Sequence, residues 1–205
     1  MVIFSRNKKF SSKGKYLKSG VYGGFDGIVT TFAIVAGVVG AGLSSSIILI
    51  LGFANLIADG VSMAVGDYLS TKSQGEYYRK DAKKISLLMQ KNKKYKTGAM
   101  MDDQLELVFD KTRPEKNALV TFFSFLVFGF IPLLVFVLGA ILNTNIPNSF
   151  FWASVLSGIS MFILGFAKSE IAKKNPFRSG IETFLIGGLA AVAAYFVGEI
   201  LSKLV

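Results

Sequence analysis

Four side chains, Asp26, Asp59, Met63 and Asp67, have the types and spacing to handle a divalent cation. Carboxylate oxygens suit Mg2+, Ca2+ and Mn2+, and a thioether adds preference for softer transition metals. The chain has no His and no Cys. That excludes thiolate metal sites, Fe–S clusters, disulfides and the usual His-based catalytic arrangements. A site made of Asp and Met alone would hold Fe2+ or Mn2+ weakly and exchangeably, as transfer requires. Asp59, Met63 and Asp67 stand at i, i+4 and i+8, so on a helix they share one face, which Asn55 extends.

Counting residues sets the depth of these groups. Only 32 residues separate Asp26 from Asp59, and they include a break at Gly40-Ala41-Gly42-Leu43-Ser44-Ser45-Ser46. Two full membrane crossings need about 20 apolar residues each. Both aspartates therefore lie below the membrane surface, where an acid costs roughly 2.5–3.5 kcal/mol on insertion scales. Such a group persists where it faces a protein interior or an aqueous path. Asp26 lies 17 residues before Leu43 and Met63 lies 17 after Ser46, or roughly 25 Å at 1.5 Å per helical residue. The count predicts Asp26 opposite Met63, flanked by Asp59 and Asp67. Each member has a bland alternative: Met63 as core filler, Asp67 as an interfacial residue, Asp26 as a capped structural group. Overlapping Gly20/Gly24 and Gly23/Gly27 pairs permit a close helix approach beside Asp26.

The elements that must position these residues are membrane helices. Of 205 residues, 52% are hydrophobic and 18% charged, and Asn117 to Ala167 is a run of 51 residues without a formal charge. Runs of 18 or more apolar residues read as membrane spans. We expect an all-α integral membrane protein with five transmembrane helices. Residues 1–18 form a basic cytosolic arm and 19–66 hold helices one and two. Residues 67–116 form a short helical cytosolic segment, with Gly75 and the 91–98 stretch as interruptions. Residues 117–205 hold helices three to five, divided at Asn143–Ser149 and at a charged linker over 168–178. Gly187, Gly188, Ala190, Ala191 and Ala194 give the fifth span a small-residue surface suited to packing within the chain.

Orientation follows from the basic residues. The arm, the 67–116 segment and the 168–178 linker hold 22 of the 23 Lys and Arg, and only Lys203 lies beyond the fifth span. The positive-inside rule puts the N-terminus in the cytosol and the C-terminus outside. The net charge of +10 flanks apolar runs, so anionic lipids are its expected partner and nucleic acid is not. The N-terminal stretch has no apolar core before its basic cluster, so no cleaved signal peptide is expected.

The stretches GVYGGFDGIVTTFAIVAGVVGAG and LIADGVSMAVGDYLSTKSQGEYY resemble the vacuolar iron transporter family. The stretches ALVTFFSFLVFGFIPLL and SVLSGISMFILGFAKSEIAKKNPFRSGIETFLIGGLAAVAAYFVG agree, so the likeness runs from about Gly20 to Gly198. The resemblance implies a homodimer of five-helix subunits exchanging Fe2+ against protons, with Asp26 and Met63 lining the path. Family members with a cytosolic metal-binding domain carry several Glu and a Met-Met-x-x-Glu motif there. Here Met100-Met101 are present, but Gln104 stands where the Glu would be. A tight metal cluster in 67–116 is therefore not expected, although Asp102, Asp103 and Glu106 could attract cations loosely. The expected function is export of Fe2+ or Mn2+ from the cytosol by proton antiport across a cell inner membrane, with no resident cofactor. Asp59 and Asp67 would receive the cation on the cytosolic side. The alternatives are a non-transporting scaffold or lipid-binding protein, for which deep acids would serve no purpose, and a membrane enzyme. No nucleophile–base pair supports an enzyme.

Overall fold

A computed structural model describes residues 10–91, 113–144 and 146–204. The Met100–Glu106 motif and most of the 91–98 stretch lie outside the described residues. Those described are helical, with no strand among them. In chain order the helices are α1 (Phe10–Gly40), α2 (Ser45–Lys91), α3 (Pro114–Phe130), α4 (Leu134–Ile141), α5 (Ser149–Ala172) and α6 (Pro176–Ser202). A 3-10 turn at Ile131–Leu133 joins α3 to α4. Among the described residues, five stretches are long and apolar enough to cross a membrane: Tyr16–Gly40, Ser45–Asp81, Pro114–Ile141, Ser149–Ser169 and Pro176–Ser202. This is an all-α membrane protein.

Local chemistry fixes the helix ends. After α1, Gly42 takes a left-handed φ of 67°. The Leu43 N–H then reaches the Val38 carbonyl at 3.0 Å and the Gly42 N–H reaches Val39 at 2.9 Å. This is a Schellman closure, which needs a residue without Cβ strain at that position. Pro132 has no N–H to give the Phe128 carbonyl, and the Ile131 N–H takes that carbonyl instead, tightening the middle of the third span into a 3-10 turn. At the start of α6, the Asn175 side chain accepts from the N–H groups of Phe177 and Arg178 at 3.0 and 3.4 Å, ahead of Pro176 at the first helical position. The last connection is shorter than the expected linker. The chain turns over 173–175, with Lys173 left-handed, and Lys168, Glu170 and Arg178 sit on the helix ends. Gly75 does not interrupt α2, which runs unbroken to Lys91. One glycine costs about 1 kcal/mol against alanine, which a helix this long absorbs.

The first helix is the axis of the bundle, packing against α2, α3, α5 and α6. Glycines let it do so at backbone distance. A Cβ on Gly23 would collide with the Thr121 carbonyl, and one on Gly27 would lie 2.5 Å from the Phe125 carbonyl oxygen. The predicted close approach beside Asp26 is therefore made by α3, not α2. Toward the opposite end, Gly40 meets the backbone of Tyr195 and Gly37 that of Gly198, and Gly187 of the fifth span packs on Met161, whereas a Cβ on Gly188 would meet nothing within 4 Å. Between the two contacts, Ile28, Phe32, Val35, Phe125, Met161 and Leu164 form the buried core. The outward face of α2 is left open.

Candidate functional site

Polar side chains run down the seam between α1 and α2. At the end carrying the basic segments, Asp67 stands among hydroxyl donors from three helices. Ser19 of α1 donates to its Oδ2 at 2.8 Å and Thr121 of α3 donates to the same oxygen at 2.6 Å. Thr71, one turn on along α2, donates to Oδ1 at 3.3 Å and accepts from the Asn117 amide at 3.4 Å. Thr121 is fully buried, and Ser19 and Asn117 nearly so. Deeper in the bundle, the Asn55 amide donates to the Thr30 hydroxyl at 3.4 Å, and that hydroxyl donates to the Asp26 carbonyl at 2.8 Å.

These two cross-helix links fix the register of α1 on α2. Ser19 pairs with Asp67, and Thr30 with Asn55. Seven residues along α1 from Ser19, at Asp26, the matching level on α2 is Asp59–Gly60. Met63, the expected partner, stands one helical turn nearer the basic end and packs on the edge of the apolar core. Asp26, Asp59 and Met63 are all half-buried. Asp67 belongs to a separate level two turns from Asp59. Among the described residues, no three Asp or Glu side chains gather into one metal-binding group. The structure thus sets out levels along a seam: Asp67, then Met63, then the Asp26–Asp59 pair, then Asn55 with Thr30.

A model of the VIT family matches residues 17–92 and 79–199. The chain belongs to the VIT family. Among its relatives, the vacuolar iron transporter of Toxoplasma gondii (strain ATCC 50861 / VEG) is 34% identical over 233 residues, covering 95% of this chain and 77% of that protein. The vacuolar iron transporter of Plasmodium berghei (strain Anka) is 29% identical, covering 91% and 82%. Vacuolar iron transporter 1 of Arabidopsis thaliana is 27% identical, covering 94% and 89%. VIT membership places the chain among transporters, not enzymes.

Apart from Asn55, the hydroxyls and amides of this VIT chain went unremarked in the sequence, yet a signal for some was present. Asn117, Thr121, Phe125 and Gly129 recur every fourth residue and form the buried face of α3. Polar and small residues at that period in an otherwise apolar span mark the side that meets other helices. Ser19, four residues after Lys15 and beside Lys18, carries no comparable signal.

Proposed function

We propose that this chain exports Fe2+ or Mn2+ from the cytosol in exchange for protons, as a homodimer. In this proposal Asp67 receives the cation, Met63 supplies a selective thioether, and the Asp26–Asp59 pair is the site at which metal and protons compete. The observation that carries it is the shared depth of Asp26 and Asp59 inside a five-span bundle. Two carboxylates at one level in a low-dielectric setting repel unless something neutralises them. One divalent cation can do so, and so can protons. Alternation between those two occupancies is the minimum an antiporter requires.

Family membership supports the cargo, since the relatives are vacuolar iron transporters by name. The Asp-and-Met donor set favours ions that exchange readily over ions held for good. Separate levels along the seam also suit passage better than storage. The basic ends of the spans support a cytosolic N-terminus. We assign the chain to a cell inner membrane, while the names of its relatives place them in vacuoles.

Support for the homodimer comes from α2. Ala54, Ala58, Ser62 and Gly66, spaced every fourth residue, all face outward, and a Cβ on Gly66 would meet nothing within 4 Å. Such a stripe allows close packing of a second helix in a membrane. A second copy there would cover the half-exposed Asp59 from the lipid.

Transport into proteoliposomes tests the proposal, using Fe2+, Mn2+, Zn2+ and Ca2+ in competition, with and without a pH gradient. Wild-type protein is expected to move Fe2+ or Mn2+ faster when the gradient opposes the metal flux. Asp26→Asn keeps the shape and removes the charge, and should abolish transport with expression intact. Transport by Asp26→Asn near the wild-type rate, still responsive to pH, would overturn the mechanism.

A further inference from the structure

Asp67 differs from the deeper carboxylates in how its two oxygens are used. Oδ2 accepts two short bonds, from Ser19 on α1 and from Thr121 on α3. Among the described residues, Oδ1 accepts only the long bond from Thr71 at 3.3 Å. A carboxylate has about four acceptor positions, so Oδ1 keeps capacity for a cation while Oδ2 is held. All three donors are neutral hydroxyls. They fix the group without cancelling its charge, as a lysine or arginine would. Carboxylates that bind metal are characteristically oriented in this way, by hydrogen bonds to the oxygen the metal does not take.

The support is itself constrained. Thr121 follows Val120 and precedes Phe122 on the tightest face of α3, where Gly23 of α1 lies against its own backbone. Its hydroxyl has one proton, and the 2.6 Å bond to Asp67 claims it. Thr71 is backed by the Asn117 amide at 3.4 Å, so α3 reaches the carboxylate from both sides. The Ser124 hydroxyl, one turn deeper, clamps α3 to the Gly20 carbonyl of α1 at 2.5 Å.

We infer that Ser19 and Thr121 are positioning residues for metal capture, holding Oδ2 of Asp67 so that Oδ1 is presented to the arriving cation. This rests on the proposal that Asp67 receives the metal. Neither hydroxyl touches the cargo; both act through Asp67. Their removal should weaken capture without slowing the later steps at Asp26 and Asp59.

The test is Mn2+ uptake by proteoliposomes at graded Mn2+ concentration, normalised to folded protein by size-exclusion chromatography. Thr121→Val should raise the half-saturating concentration roughly three- to tenfold, the scale of the net contribution of one hydrogen bond, with the maximal rate unchanged. Thr121→Ser should restore it, and Ser19→Ala should act in the same direction. In an Asp67→Ala background, Thr121→Val should cause no further rise, because its effect passes through the missing carboxylate. A merely structural threonine would lower the maximal rate and leave half-saturation alone, and that outcome overturns the inference. So does a Thr121→Val effect that persists in the Asp67→Ala background. If Asp67→Asn raises half-saturation while Ser19→Ala and Thr121→Val do not, the positioning role fails and Asp67 as receiver stands. If Asp67→Asn itself is like wild type, the receiving role fails and the positioning role falls with it.

Discussion

Gly27→Ala perturbs the bundle beside Asp26 without touching any charged group. The added Cβ would lie 2.5 Å from the Phe125 carbonyl oxygen and 3.1 Å from its carbonyl and α carbons. A tolerable carbon–oxygen approach is about 3.3 Å, so α1 and α3 must part by about 0.8 Å there. The obstacle is backbone, with no rotamer to give way. Overpacking of this kind costs about 1–3 kcal/mol, and a rigid neighbour places it near the upper end. The same displacement would stretch the 2.5 Å Ser124–Gly20 bond to about 3.3 Å, outside the range of a good hydroxyl hydrogen bond. Denaturant titration in detergent micelles, followed by near-UV circular dichroism, reads the cost. Gly20→Ala is the control, since its nearest atom is a Val120 methyl at 3.6 Å, and it should change stability by less than about 0.5 kcal/mol. A Gly27→Ala protein as stable as wild type would show that the two helices do not meet at backbone distance, and the account of how Asp26 is held would fail with it.

Two other expectations follow from the seam and the charge pattern. Met63→Leu preserves volume and loses the sulfur, so it should weaken transport and blur the preference for Fe2+ over harder ions in competition assays; unchanged selectivity would remove Met63 from the path. Reporter fusions at Val205 and within residues 91–98 should report opposite sides of the membrane, and a cytosolic C-terminus would refute the orientation drawn from the basic residues.

The five spans were legible because each rests on a property summed over about 20 residues. No single substitution hides a 51-residue uncharged run. The presence of Asp26 and Asp59 within the first two spans was legible for the same reason, since both fall inside the stretches long and apolar enough to cross a membrane. What escaped depends on single atoms. The collar around Asp67 needs Thr121, which stands 54 residues away in the sequence and presents a hydroxyl that also serves ordinary helix packing. The uninterrupted course of α2 past Gly75 was hidden because a glycine's local penalty is small beside the cooperativity of a long helix.

The pairing of Asp26 shows how one residue of cap geometry controls a functional assignment. Counting outward from Leu43 and Ser46 puts Met63 level with Asp26. The observed turn is tighter and sits earlier, because the Schellman closure at Gly42 lets α2 begin at Ser45. That places the centre of the hairpin between Gly42 and Leu43, and the levels on α2 shift by about one turn, 5.4 Å. Asp59 thereby moves from flank to partner. The change is chemical as well as geometric. An Asp–Met level offers one charge and a soft donor, whereas an Asp–Asp level offers two charges that a divalent ion can balance in full. The thioether then precedes the charge pair on the way from the basic end. In the proposed mechanism, that order lets a soft ligand screen ions before the carboxylates commit to them.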